Sequence, residues 1–257
     1  MAKAQGWHGW DSYADFYDWE NARTLGRRDV AFWRGLVREL HAPTLELGCG
    51  TARLLGPMAR TGVSVTGIDR SQPMLDHAER RIARLPRALR PSLVRGDIRA
   101  LPFARASFGF VMAAYGLTQS ILDDDDLDAM LGEIARVVPR GGAAGFDLVP
   151  DLPQWAEYRN KVIFRGRSRR GGRVTLTETV RQHPRRRVTV FDDEFVERRA
   201  GEVKRRRFTL TFRTISVEEL RGRLARVRLR VETVYGDYRG GAWSPLSDAW
   251  VVLARRV

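Results

Sequence analysis

Thr44–Arg53 reads TLELGCGTAR, a short apolar strand that runs into a glycine-spaced turn, and the turn opens into a predicted amphipathic helix over 52–60. Gly48 and Gly50 lack a Cβ, so the backbone can bend sharply there and let a ligand lie against the peptide groups. The N–H groups at the start of the next helix would then face that ligand. A purely structural bend uses the same spacing, so these ten residues alone leave both readings open.

Downstream of the turn, strands and helices alternate. Strands are predicted at 44–49, 63–68, 92–96, 108–114 and 143–149, with helices at 52–60, 72–84 and 124–138. Strands joined by helices of this length imply parallel pairing with right-handed crossovers, hence an α/β doubly wound sheet. In such sheets a ligand lies beyond the carboxyl ends of the strands. Those ends carry Gly48–Gly50, Asp69, Asp97 and Tyr115 with Gly116. Upstream, 7–40 reads as helix with an aromatic start (Trp7, Trp10, Tyr13, Phe16, Tyr17, Trp19), forming a cap over 1–42 that serves either as core or as a lid. Residues 151–214 break the alternation with four segments of near period-two patterning, which predicts an antiparallel β insertion forming an acceptor lid. A helix over 216–227, opening on a Ser216–Glu219 capping box, and strands at 229–236 and 248–254 complete a core spanning 43–150 and 215–257.

The chain has 257 residues and a formal net charge of +14, and the charge is unevenly placed. Residues 1–150 hold 19 basic and 18 acidic side chains, whereas 151–214 hold 18 and 8. A basic segment attracts phosphate, but a solvated β-surface is the more frequent explanation. Arg205, Arg206 and Arg207 are consecutive, so they cannot share one face of a strand. An inward turn of Val174, Leu176, Phe191 and Phe195 would mark a pocket wall instead. Cys49 is the only cysteine, and the four histidines show no i, i+4 pair, which removes disulfides and the usual zinc signatures. No metal is expected, and Asp123–Asp126 reads as acids at a helix start. The N-terminal stretch lacks the apolar core of a signal peptide and no apolar run is long enough to span a bilayer, so a cytoplasmic location without membrane contact is expected.

Asp69 follows an apolar strand and lies 21 residues beyond Gly48, where a carboxylate can accept two hydrogen bonds from a ribose diol. Asp97 ends the third strand, where it can accept from an adenine amino group while the Ile98 N–H serves a ring nitrogen. Taken together, ELGCGTAR, GIDRSQPMLDHA, GDIRALPF, FGFVMAAYG and PRGG resemble the ordered motifs of class I S-adenosylmethionine-dependent methyltransferases, over 44–150 and the closing 216–257. YADFYD and the β insertion are similar to the small-molecule subgroup, which includes glycine N-methyltransferase-like and aminosugar N-methyltransferase-like enzymes.

The resemblance implies a seven-stranded Rossmann-like sheet with a reversed last strand, and S-adenosyl-L-methionine as cofactor with S-adenosyl-L-homocysteine as product. It carries cofactor roles onto Glu46, Gly48 and Gly50, with Cys49 between them. It also carries them onto Asp69 and Arg70 at the second strand end, Met74 near the adenine, and Asp97 with Ile98. Tyr17 and Tyr115 are expected beside the cofactor, with Tyr115 the one candidate for a catalytic part, either as base or as pocket wall. Tyr13, Gln119 and Trp155 are the candidate acceptor contacts, and His8 and His183 fall in segments the sequence does not position. Ala52 and Arg53 depart from the commoner glycine that ends the first motif.

In this family the protein aligns an acceptor nucleophile rather than supplying one, so methyl transfer to N or O of a small molecule by in-line displacement is expected. AAYGLTQ stands where an N/D-P-P-Y/F motif would mark adenine or glutamine amino-methylation, and Cys49 is not placed as a nucleophile for cytosine C5 methylation. Two alternatives stay open: an RNA or ribosomal methyltransferase that uses the arginine-rich insertion, and a non-catalytic cofactor-binding protein of the same fold. The exposed edge of an inserted sheet leaves room for a homodimer.

Overall fold

Short apolar runs buried along their whole length set the inner strands of the central sheet, near period-two alternation sets those of the insertion, and capping residues set several helix starts. The computed structural model describes residues 10–23, 28–149, 156–168, 171–247 and 249–257. At its centre β1 (Thr44–Leu47) pairs in parallel with β2 (Val65–Asp69) and β4 (Phe110–Ala113). Outward from these, β3 (Ser92–Arg95) pairs in parallel with β2, and β5 (Ala143–Leu148) with β4. β11 (Trp250–Arg256) runs antiparallel between β5 and β10 (Leu229–Tyr235), so the sheet order is β10-β11-β5-β4-β1-β2-β3. The expected reversed last strand is present.

Helices cover both faces. On one, α2 (Arg28–Leu40), α3 (Leu55–Ala59) and α4 (Gln72–Ile82) bury Trp33, Val37, Leu55, Met58 and Leu75. On the other, α6 (Asp124–Val137) and α7 (Val217–Arg226) bury Leu127, Leu131, Ile134, Leu220 and Leu224. Ser71 caps α4, Asp123 caps α6 and Ser216 caps α7 through side-chain oxygens that accept backbone N–H bonds.

The insertion forms a separate antiparallel sheet of β6 (Tyr158–Arg167), β7 (Arg173–His183), β8 (Val188–Arg199) and β9 (Glu202–Arg213), in that order. Its apolar face is covered by α1 (Trp10–Asn21), where Phe16 stacks on Phe195 at 4.4 Å and Tyr13 meets Phe208 edge-on at 5.1 Å. Among the described residues no helix is long and apolar enough to cross a membrane.

Three local expectations change. The helical stretch 7–40 is two helices packed on different sheets, because the aromatic half finds its apolar partner on the insertion and the second half finds it on the central sheet. The helix expected over 52–60 is only the five residues Leu55–Ala59, preceded by turns. Ala52 holds φ at 60°, which a helix start cannot include, and most of α3 is buried rather than amphipathic. A short helix the sequence did not announce, α5 (Leu117–Ser120), follows β4, set off by positive φ at Tyr115 and Gly116.

Candidate active site

The carboxyl ends of β1, β2, β3 and β4 converge on a cavity of about 500 Å³. β1 sends Leu45 and Leu47 into the core and puts Glu46 on the other side, where it lines this cavity at 5 % exposure. Glu46 Oε2 has no hydrogen-bond partner among the described residues, and burial pushes its carboxyl up to about 8 against the opposing pull of the Arg53 guanidinium. The glycine turn follows, with φ of 57° at Gly48 and 51° at Gly50. These left-handed conformations disfavour larger residues in the turn, and a Cβ at Gly48 would also press on Leu117 Cδ1 at 2.7 Å.

Asp69 ends β2 and braces the turn. Its Oδ2 accepts from the Gly50 N–H at 2.8 Å and its Oδ1 from the Ser71 N–H at 2.9 Å, leaving lone pairs on both oxygens for a further donor. Burial raises its pKa, and these backbone donors pull it back. Arg70, Met74, Asp97, Ile98 and Cys49 line the same cavity. Cys49 is buried, and desolvation raises its thiol pKa, which disfavours a thiolate.

Asp97 departs from the role expected for it as a free acceptor. Arg99 Nη2 donates to its Oδ2 at 2.6 Å and Arg99 Nε to its Oδ1 at 2.9 Å, while Arg99 Nη1 reaches Asp126 at 2.9 Å. That ion pair lowers the Asp97 pKa and occupies much of its accepting capacity. Gln119, expected at the acceptor, is a correction: it is buried and its amide donates to the Val149 carbonyl (3.1 Å) and accepts from the Val149 N–H (2.8 Å). It lines neither cavity, because pairing the backbone at the end of β5 uses both ends of its amide. His183 ends β7, exposed and away from both cavities, whereas Trp155 and His8 lie outside the described residues.

A second cavity of about 470 Å³ adjoins the first and shares Trp10, Tyr17, Tyr115 and Phe212 with it. Tyr17 and Tyr115 meet edge-on at 6.3 Å, and Tyr115 holds a left-handed φ of 60° that aims its ring at this junction. Tyr13 lines the second cavity and donates its hydroxyl to Glu20. Asp147 lines it too, fully buried, accepting from the Gly116 N–H at 2.8 Å and the Tyr238 hydroxyl at 3.0 Å; burial pushes it up to about 6.

Sequence reasoning passed over several groups. Arg53, noted only as a departure from glycine, lines the first cavity, forms a two-pronged pair with buried Asp29 at 2.8 and 2.5 Å, and sits 5.4 Å from the Tyr115 ring centroid. Glu20, Glu178 and Asp193 line the second cavity. The last two had a readable signal, since strand alternation puts Glu178 on the face of Leu176 and Val180, and Asp193 on that of Phe191 and Phe195. Asp123–Asp126 behaves as a helix start: Asp123 caps α6, while Asp124 pairs with Arg213 and Arg223. Among the described residues no group of three or more His, Cys, Asp or Glu could hold a metal ion.

The first cavity therefore offers a glycine cradle, an unsatisfied buried carboxylate oxygen and a braced strand-end acid, which together fit the polar groups of S-adenosyl-L-methionine. Residues 44–142 match the family described as methyltransferase domain. The chain carries a methyltransferase domain with the class I fold, and S-adenosyl-L-methionine is the methyl donor of that class. A cypemycin N-terminal methyltransferase of Streptomyces is 29 % identical over 244 residues, covering 93 % of this chain and 94 % of the relative. Among solved structures, the CcbJ methyltransferase of Streptomyces caelestis superimposes with a TM-score of 0.76 at 21 % identity, over 90 % of each chain. The sugar N-methyltransferase KedS8 of Streptoalloteichus does so with a TM-score of 0.74 at 18 % identity, over 94 % of this chain and 93 % of that one.

Proposed function

We infer that this enzyme moves a methyl group to a nitrogen or oxygen atom of a small molecule held in the second cavity, by in-line displacement and mainly through positioning. The observation that carries this reading is the pair of adjoining cavities with Tyr17 and Tyr115 at their junction. The sulfonium of S-adenosyl-L-methionine supplies an electrophilic methyl group when bound. In this reading Glu46 accepts from the amino group of the cofactor's methionine part, Gly48, Cys49 and Gly50 give it close backbone contact, and Asp69 with Arg70 lies at its ribose. Met74, Asp97 and Ile98 lie around its adenine. Tyr17 and Tyr115 flank the methyl path, and Tyr13 walls the acceptor side. Alignment and exclusion of water across the junction are the protein's contribution to rate. Similarity to an N-terminal methyltransferase and to a sugar N-methyltransferase supports an acceptor of this chemistry.

The RNA reading is the second one, and the insertion weighs against it. Val174, Leu176, Phe191 and Phe195 are turned inward and buried in the cluster under α1, with Phe191 at the second cavity, and Arg205 and Arg207 are paired with Glu194.

Calorimetric titration with S-adenosyl-L-homocysteine tests the function, with NADH as control ligand and Asp69→Ala as variant. Micromolar or tighter binding, lost in the variant and absent for NADH, is expected. A folded wild-type sample that binds no S-adenosyl-L-homocysteine overturns the reading.

A further inference from the structure

The inner face of the insertion is apolar except at one place. Along β7 the inward residues are Leu176, Glu178 and Val180, and along β8 they are Phe191, Asp193 and Phe195. Glu178 and Asp193 are direct cross-strand partners, so two carboxylates face each other in the middle of a buried hydrophobic sheet surface. A third, Glu20, reaches the same cavity from α1, and Asp147 reaches it from β5. No lysine, arginine or histidine among the described residues lines this cavity, in a chain that carries 45 lysines and arginines. Like charges directly opposite on a sheet repel, and desolvating them adds a further cost. Such an arrangement is therefore costly unless protons or a cation neutralise it.

We propose that Glu20, Glu178 and Asp193 form a receptor for an ammonium group, and that the methyl acceptor is a small amine that enters as a cation, gives one proton to this carboxylate cluster, and then attacks the methyl carbon with its freed lone pair as the carbon–sulfur bond breaks to leave S-adenosyl-L-homocysteine. This rests on the methyltransferase reading above and deepens it. Asp193 Oδ1 is buried without a hydrogen-bond partner, in a residue 2 % exposed, and is the acceptor an ammonium donor would satisfy. Tyr13 donates to Glu20 and Tyr158 to Glu178, which holds both carboxylates in place at the cavity wall. The rings of Trp10, Tyr13 and Tyr17 supply π-faces suited to an organic cation and hostile to an anion. Glu178 and Asp193 hydrogen-bond to each other through a shared proton, which an ammonium group displaces and a neutral alcohol does not.

The charged and titratable groups that bear on Asp193 agree with this picture. Tyr13 and Glu20 come from α1, Tyr158 and Lys161 from β6, Glu178 from β7 and Asp192 from β8, while β9 presents Phe208 opposite. Burial, then Glu20 and Glu178, raise the Asp193 pKa, and burial raises Glu20 to about 7. Lys161 acts on Glu178 and sits over the Tyr158 ring at 4.8 Å rather than in the cavity.

The test uses the full chain, free and saturated with S-adenosyl-L-homocysteine, titrated calorimetrically with 2-phenylethylamine and with its uncharged match 2-phenylethanol. The amine is expected to bind at least about tenfold more tightly than the alcohol. Asp193→Asn and Glu178→Gln should each shrink that preference several-fold while S-adenosyl-L-homocysteine affinity, which reports an intact first cavity, stays within about twofold. Glu20→Gln, on a different element, is the third variant and guards against loss of the insertion's fold. Equal binding of the two probes, a preference that survives all three substitutions, or no amine binding at millimolar concentration overturns the proposal. Loss of S-adenosyl-L-homocysteine binding by the wild-type protein overturns the methyltransferase reading instead, and this inference with it.

Discussion

At the scale of single residues, Glu46 carries the sharpest consequence. Its carboxyl is buried, raised to about 8 by desolvation, and only partly offset by Arg53. A carboxyl whose folded pKa lies above its unfolded value binds more protons folded than unfolded across that interval, so stability falls as pH rises through it. The penalty is absent below about pH 4.5 and complete above about pH 8, and amounts to a few kcal/mol at most. Thermal melts of the ligand-free protein should therefore show Glu46→Gln gaining on the wild type as pH rises from about 5 to about 8. A gap that does not change with pH would mean the carboxyl is not desolvated. The same residue would weaken cofactor binding when replaced, so stability and affinity should move in opposite directions.

At the scale of elements, α1 decides how the two cavities are closed. It carries Tyr17 at the junction and Tyr13 and Glu20 in the second cavity. Asp18 ties it down, accepting from Thr51 Oγ1 in the glycine turn and from Arg81 Nη2 on α4, both at 2.7 Å. Hydrogen bonds to a charged group contribute about 1.5–3 kcal/mol each. Asp18→Ala should speed amide exchange in α1 by about tenfold or more, leave α2 unchanged, and weaken S-adenosyl-L-homocysteine binding several-fold. Hydrogen-exchange mass spectrometry with calorimetry checks this; equal acceleration of α1 and α2 would show global destabilisation rather than release of one element. α2 is insulated because its Trp33 and Val37 are fully buried against the central sheet.

At the scale of the whole molecule, the charge of +14 is an excess over every acid in the chain, and the ion pairs decide how it is spread rather than remove it. Arg205 and Arg207 share Glu194, Arg181 pairs with Asp192, Arg187 with Glu219, and Arg223 bridges Asp124, Asp128 and Glu219. Paired arginines on a solvated sheet give phosphate little concentrated potential. Filter binding with a single-stranded RNA homopolymer should show only weak association, lost by about 0.3 M salt as counterion release predicts. Submicromolar binding at about 0.15 M salt would restore the RNA reading. The basic outer strands β6 and β9 also oppose pairing of like edges, so a homodimer, if sedimentation finds one, should use another face.

The amino-acid sequence by itself determined the α/β core, its reversed last strand, and the chain of polar residues at the strand ends. The core and its strand ends follow from local rules, namely apolar strands, capped helices, glycine at turns and helix-length connections that cross over to a parallel neighbour, whereas the reversed last strand followed from the resemblance of the motifs to a known family. Asp69 and Ile98 were legible from their places at strand ends, Glu46 and Met74 from the resemblance of the motifs to a known family, and all four line the first cavity. Only the tertiary structure decided that Asp97 is held by Arg99, that Gln119 pairs with the backbone of Val149, and that Arg53 reaches the cavity held by Asp29. Each of those turns on which long side chain wins a partner distant in sequence or close in space, and no periodicity encodes that competition. The acid-lined second cavity lies between these cases. Strand alternation already placed Glu178 and Asp193 inward, but their facing register, and the arrival of Glu20 from an element more than 150 residues away from either in sequence, came from packing α1 against the insertion.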